Sequence, residues 1–315
     1  MTKISVNSLI SVSAHLGHIT PKKHPKMNRF LLGEKNGINV IDLRQTVRAL
    51  KEAYEFVNEL AAKGGKILFV GTKYSTRDLI KKKASQTNNY YINNRWLGGT
   101  LTNFQTVKQS ISKLNSIEKL AGIDLSYPGI IKKEASQLEK QRQSLLSVLA
   151  GIRNMKKMPA LVFVADIIHD KISINECKLL KIPLIAITDS NTNPALIDHP
   201  IPANDDSVGS VELILDVICS AYQKGHHQYV TAAKEAANAK EKEAKEAAKE
   251  KEAKKAALKS KKEPAELKDI KKSDIQAKSE LKAQVAEAII QENKAELPSS
   301  ETPKEKVAEK ETSKG

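Results

Sequence analysis

The apolar runs Lys66-Ile-Leu-Phe-Val-Gly71, Ala160-Leu-Val-Phe-Val-Ala165 and Leu184-Ile-Ala-Ile-Thr188 constrain this chain most. None alternates apolar with polar residues, so each reads as a strand covered on both faces, the mark of a parallel sheet wrapped by helices. The stretches between them have the helical period. Val47, Leu50, Tyr54, Val57 and Leu60 predict a helix from about Arg44 to Lys63, ended by Gly64-Gly65. Helices follow over Arg77–Gln86, after a turn at Thr72–Thr76, and over Ser173–Leu180 and Val208–Tyr222. Short strands are expected at Tyr90–Ile92 and within Pro194–Pro202. The fold class is α/β, with a doubly wound, mainly parallel sheet.

Three features elaborate that body. Asn7–Ala14 is a short helix candidate, and Phe30–Ile41 holds Asn36-Gly37 between apolar runs, predicting an N-terminal β-hairpin. Leu101–Leu120 and Lys132–Leu149 are long helices with polar faces. The Gly122–Gly129 loop joins them, so 101–154 reads as an inserted helical hairpin of coiled-coil type within a body of 1–100 and 155–225. Beyond Gly225 the composition changes to a Lys/Glu/Ala-rich tail, 226–315. It has 21 Lys, 18 acids, no Arg and almost no apolar stripe, and is expected to be a solvated helix or disordered.

The net charge of +15 divides unevenly, with +12 in residues 1–225 and +3 in the tail. A folded domain with such an excess attracts polyanions, because Lys and Arg displace counterions from a phosphate backbone. No segment pairs a strong apolar face with a basic one as membrane-surface helices do. No window approaches the roughly 18 apolar residues of a membrane span. Nucleic acid is the expected partner. Cys177 and Cys219 lack CxxC spacing and read as small core residues in a reducing compartment.

Catalytic signatures are missing. GxSxG, HExxH and GxGxxG do not occur, and Gly65 and Gly71 stand in the wrong register for a phosphate-binding P-loop. The turn Gly71–Thr76 can present helix N-terminal amides, with Lys73 and Arg77, to an anion, or be an ordinary connection. His15, His18 and His24 have poor zinc spacing. Asp189 and Asp205 follow adjacent strand candidates and could hold Mg²⁺ with His18. The favoured reading is that Asp189 makes an Asx turn and Asp206 or Ser207 caps the next helix. The segment Asn93–Phe104 carries the only Trp beside Arg95 and two glycines. That mixture suits either RNA contact or a buried turn with Trp96 in the core.

Asn93-Asn-Arg-Trp-Leu-Gly-Gly-Thr-Leu-Thr-Asn-Phe104 resembles the NHRWLGGxLTN(W/F) stretch of the bacterial small ribosomal subunit protein two family. His15-Leu-Gly-His18, Pro25–Phe30, Lys66–Lys73, Pro159–Pro183 with Glu176, Asp189–Pro194 and Ile201–Asp206 are similar to that family in the same order, over about 5–225. Asn94 departs from its usual His, Phe104 stands where Trp is frequent, and the tail exceeds the family's usual length. The resemblance implies a non-enzymatic component of the small subunit at the head–body junction, ribosome-bound in the cytoplasm. Its implied partners are small-subunit rRNA, neighbouring ribosomal proteins and the mRNA-capturing ribosomal protein one, with no cofactor, metal or small-molecule substrate. Analogy and charge together put RNA contact at Lys22, Lys23, Lys26, Arg29, Lys73, Arg77, Arg95 and Trp96.

Overall fold

A computed structural model describes residues 5–121 and 127–235. The central sheet has five parallel strands: β4 (Ile67–Val70), β5 (Tyr90–Ile92), β6 (Leu161–Val164), β7 (Leu184–Thr188) and β8 (His199–Pro202). They lie in the order β5-β4-β6-β7-β8, with Leu68 opposite Val162 and Ile185 opposite His199. The uninterrupted apolar runs are explained by two cores, one on each face. Ile67, Phe69, Leu161, Phe163, Ile185 and Ile187 face one way, and Leu68, Val70, Val162, Val164, Leu184 and Ala186 the other.

Helices cover both faces. On the first lie α2 (Leu43–Ala62), α3 (Arg77–Gln86) and α7 (residues 208–235). On the second lie α4 (Phe104–Leu120) and α6 (Lys171–Leu179). α2 begins at Asp42, whose carboxylate accepts from the Arg44 amide, satisfying a helix donor that would otherwise lack a partner. Its buried stripe includes Leu50, Ala53, Val57 and Ala61. α4 packs on α5 (Lys132–Leu149) as the expected hairpin.

Before the sheet come α1 (Val6–Ser11) and a second, antiparallel sheet of β1 (Leu16–Ile19), β2 (Leu31–Lys35) and β3 (Ile38–Ile41). Asn36 and Gly37 both have positive φ, 53° and 74°, which is the twist a two-residue hairpin turn needs. Two expectations change. The N-terminal hairpin gains β1 as a third strand beside β3, and the closing helix runs well beyond Tyr222, through Gly225 to at least 235. The remainder of the Lys/Glu/Ala-rich tail, 236–315, and part of the Gly122–Gly129 loop lie outside the described residues.

Candidate functional site

Because the five strands are parallel, the segments following them gather at one end of the sheet. Ligands of open α/β sheets collect at such an end. Here it carries Thr72–Thr76, Asn93–Asn103, Asp166–Asp170, Asp189–Asn193 and Ala203–Ser207. Residues 18–24 close over one side of it: His18 N donates to Ser190 Oγ at 2.8 Å, and His24 N donates to the Ser190 carbonyl at 2.8 Å. The approach requires glycine, since a Cβ on Gly17 would lie 2.7 Å from Ser190 Oγ.

The interior of this end is crowded with carboxylates. Lys73 Nζ lies 3.4 Å from Asp166, 3.3 Å from Asp205 and within hydrogen-bond reach of Asp206. Burial opposes its charge, but the Asp206 hydrogen bond and the fields of Asp205 and Asp166 outweigh that and raise its pKa. Asp205 moves upward to about 7, through burial first and then repulsion from Asp166 and Asp189. Asp170 rises to about 6, also chiefly through burial, while accepting from Thr72 Oγ1 at 2.8 Å and Thr72 N at 3.3 Å.

The turn after Gly71 is therefore not an open anion cradle. Its first amide serves Asp170, and Lys73 is held by acids. Lys73 is thus placed as the counter-ion of this cluster. Arg77 keeps its guanidinium 4.9 Å over the ring of Tyr74, which is 82% exposed. Tyr74 was not evident as a site residue, because nothing in sequence marks one tyrosine as exposed.

His18 Nδ1 lies 2.8 Å from Asp189, and Nε2 lies 3.7 Å from Asp206. The Asp189 hydrogen bond is the main cause of the raised His18 pKa. The neutral ring, with its Nδ1 proton on Asp189, would turn an Nε2 lone pair toward Asp206, as metal-ligating histidines do. Candidate ligand atoms of His18, Asp189 and Asp206 lie within 4.8 Å of one another. Asp206 rather than Asp205 is thus the second acid beside His18, while Asp205 faces Lys73. His15 and His24 do not join it. His24 Nδ1 accepts from the Lys26 amide, and Asn204 and Ser207 organise the entry to α7.

Beside β5, the loop Asn93–Asn103 is shaped by one acid. Glu176 Oε1 accepts from Trp96 Nε1 at 2.9 Å and Gly99 N at 2.8 Å. Glu176 Oε2 accepts from Leu101 N at 2.9 Å, Thr102 N at 3.1 Å and Thr102 Oγ1 at 3.2 Å. Burial disfavours the Glu176 charge, but the donors more than offset it and its pKa falls. Trp96, 6% exposed, lies in the core. Of the two roles open to it, base stacking is the one this burial argues against. Arg95 is exposed on the outer side of the same loop.

Lys22, Lys26 and Arg29 on two short 3₁₀ turns between β1 and β2, and Lys23 between those turns, are all exposed. The segment is fixed beneath them by fully buried Met27 and by Gln45 Nε2, which donates to the Arg29 carbonyl at 2.8 Å. None of the four makes an ion pair among the described residues. Asp166 joins the site beyond the sequence expectation, although its place after the run ending at Ala165 is the same signal that marks Asp189. Cys177 and Cys219 are buried, with thiol pKa values pushed up to about 12 by burial, which leaves no reactive thiolate.

The family described as "Ribosomal protein S2" matches residues 9–225. "Small ribosomal subunit protein uS2" of Sorangium cellulosum is 41% identical over 222 residues, 70% of this chain and 80% of that protein. The protein of the same name from Fusobacterium nucleatum subsp. nucleatum is 41% identical over 226 residues, 72% of this chain and 92% of that protein.

Proposed function

The chain belongs to the ribosomal protein S2 family and is a structural constituent of the small ribosomal subunit rather than an enzyme; from that premise we propose that it binds small-subunit rRNA through the segment Lys22–Arg29. The observation that carries this reading is four exposed cations, none ion-paired among the described residues, on a backbone pinned from below by Met27, His24 and Gln45. Cations whose backbone is already ordered lose less entropy when they meet a phosphate. Arg77 and Arg95, which follow β4 and β5, are further contacts on the same reading, whereas Lys73 and Trp96 serve as the charge-compensating and core residues just described.

Neighbouring small-subunit proteins are the other partners. The resemblance adds docking of ribosomal protein one, at a cytoplasmic ribosome. No described helix is long and apolar enough to cross a membrane.

Replacing Lys22, Lys23 and Lys26 together by Ala tests the reading. The magnitude of the log–log salt slope for binding small-subunit rRNA should fall by roughly 0.7–0.9 per lost phosphate contact. An unchanged slope and affinity would remove this segment from the interface.

A further inference from the structure

The loop Asn93–Asn103 is built as a concave set of donors whose own anion is already in place. Three backbone amides, one indole N–H and one hydroxyl converge on a single buried carboxylate. So many bonds to one side chain fix the backbone from Trp96 to Thr102. They do so from α6, an element distant in sequence. What the loop then holds outward is unlike its interior. Arg95 is exposed and has no ion-pair or hydrogen-bonding partner for its guanidinium among the described residues. Leu97 is 38% exposed.

Gly98 is the unexplained residue. A Cβ there would meet nothing within 4 Å, and its φ is not positive, so neither space nor backbone conformation within this protein calls for glycine. Its amide also has no hydrogen-bond partner among the described residues. A glycine that the fold does not require, with an open N–H beside an unpaired arginine, suits close approach by an external anionic backbone.

We propose that Arg95–Gly98 is a second, preorganised contact for the phosphate backbone of rRNA, and that Glu176 is its positioning residue. Glu176 touches no RNA itself. It acts by holding Trp96 and the Gly99–Thr102 amides so that the outer edge is rigid before binding. A polyanion is the favoured occupant because the exposed charged side chain on this edge is a cation and the acid bound by the loop, Glu176 of α6, is buried on its inner side. This inference rests on the rRNA reading above.

The test uses the full chain, small-subunit rRNA, and titrations over a series of KCl concentrations. Because the space around Gly98 is empty, Gly98→Asp should leave the thermal midpoint unchanged while weakening rRNA binding at least tenfold. Arg95→Ala should lower the magnitude of the salt slope by about one phosphate contact. Glu176→Gln replaces one acceptor oxygen by an NH₂ facing N–H donors. It should cause a similar loss of slope, add little to it in the Arg95→Ala background, and red-shift the emission of Trp96, the only tryptophan. Arg95→Ala should leave that emission unchanged.

If Gly98→Asp and Arg95→Ala bind rRNA as the wild type does, the proposal is overturned, whatever Glu176→Gln does to folding. If they bind rRNA normally but fail to enter particles, the occupant is a protein and the RNA assignment is wrong. If only Glu176→Gln binds normally while its emission shifts, its positioning role is lost. Failure of the wild type to bind rRNA would instead defeat the broader reading.

Discussion

Glu176 and Asp205 sit at the same end of the sheet and are almost equally hidden, 6% and 2% exposed. Their surroundings nonetheless drive their ionisation in opposite directions. Burial penalises both. Glu176 is surrounded by donors that more than offset this, whereas Asp205 shares one lysine with Asp166 and Asp206 and feels Asp189 as well. Burial therefore does not decide whether a carboxylate is stabilising; the ratio of donors to acids around it does. The Glu176 loop is electrostatically complete. The Asp205 cluster instead sets Asp166, Asp189, Asp205 and Asp206 against Lys73 and His18.

The largest effect should come from removing the completed partner. Glu176→Ala strands buried donors of Trp96 and Leu101, and should cost roughly 3–5 kcal/mol in urea unfolding. A loss below about 1 kcal/mol would mean that water replaces the carboxylate, and the contrast with Asp205 would collapse.

The pH response sharpens the comparison. Asp205 has a folded pKa of about 7 against an ordinary value of 3.8, so between those values the native state binds its proton more readily than the unfolded chain. Its contribution to stability thus rises as pH falls from about 8 toward 5. His18, raised above 6.5, acts in the same direction: its contribution is full below 6.5 and is lost as pH climbs through the folded value. Glu176 has the opposite sign, stabilising above its ordinary value of 4.5 and losing this as pH falls through its lowered one. Thermal midpoints of Asp205→Asn between pH 5 and 8 should therefore change less than those of the wild type. An equal slope in both would show that acid crowding is not the cause.

Two glycines offer a smaller test. Gly17→Ala forces a Cβ against Ser190 and Asp189 and should destabilise by about 1–3 kcal/mol. Gly98→Ala, in open space, should stay within about 0.5 kcal/mol. The smallest effect is expected at Glu139 on the hairpin, whose pKa is held down at about 2 chiefly by hydrogen bonding to Arg142. Glu139→Gln should leave the thermal midpoint near neutral pH unchanged within measurement, because surface ion pairs contribute little.

Most of the architecture was legible because it is written in local pattern. Arg77–Gln86, Lys132–Leu149 and Leu184–Thr188 begin and end where periodicity placed them. β1 was not legible: Leu16-Gly-His-Ile19 is short and mixed, and becomes a strand only by pairing with β3. Nor did Gly225 stop α7: a Cβ there would run into the Asn58 carbonyl, so this glycine serves close packing on α2 rather than a helix end. At the site, Asp189 and the strand-end logic could be read, but the partners of Lys73 could not. They lie 93 to 133 positions away and are assembled only by the parallel topology. Trp96 illustrates the same limit, because composition leaves core and RNA contact open until Glu176 is seen 80 positions further on.

The central claim, that this chain works as an rRNA-bound constituent of the small subunit, is tested most directly by sedimentation. Tagged full-length protein in lysate would be run through gradients at low and high salt, with and without ribonuclease. The account predicts migration with small-subunit particles at low salt and release by ribonuclease or concentrated salt. Protein that stays at the top of the low-salt gradient with either terminus tagged would contradict it.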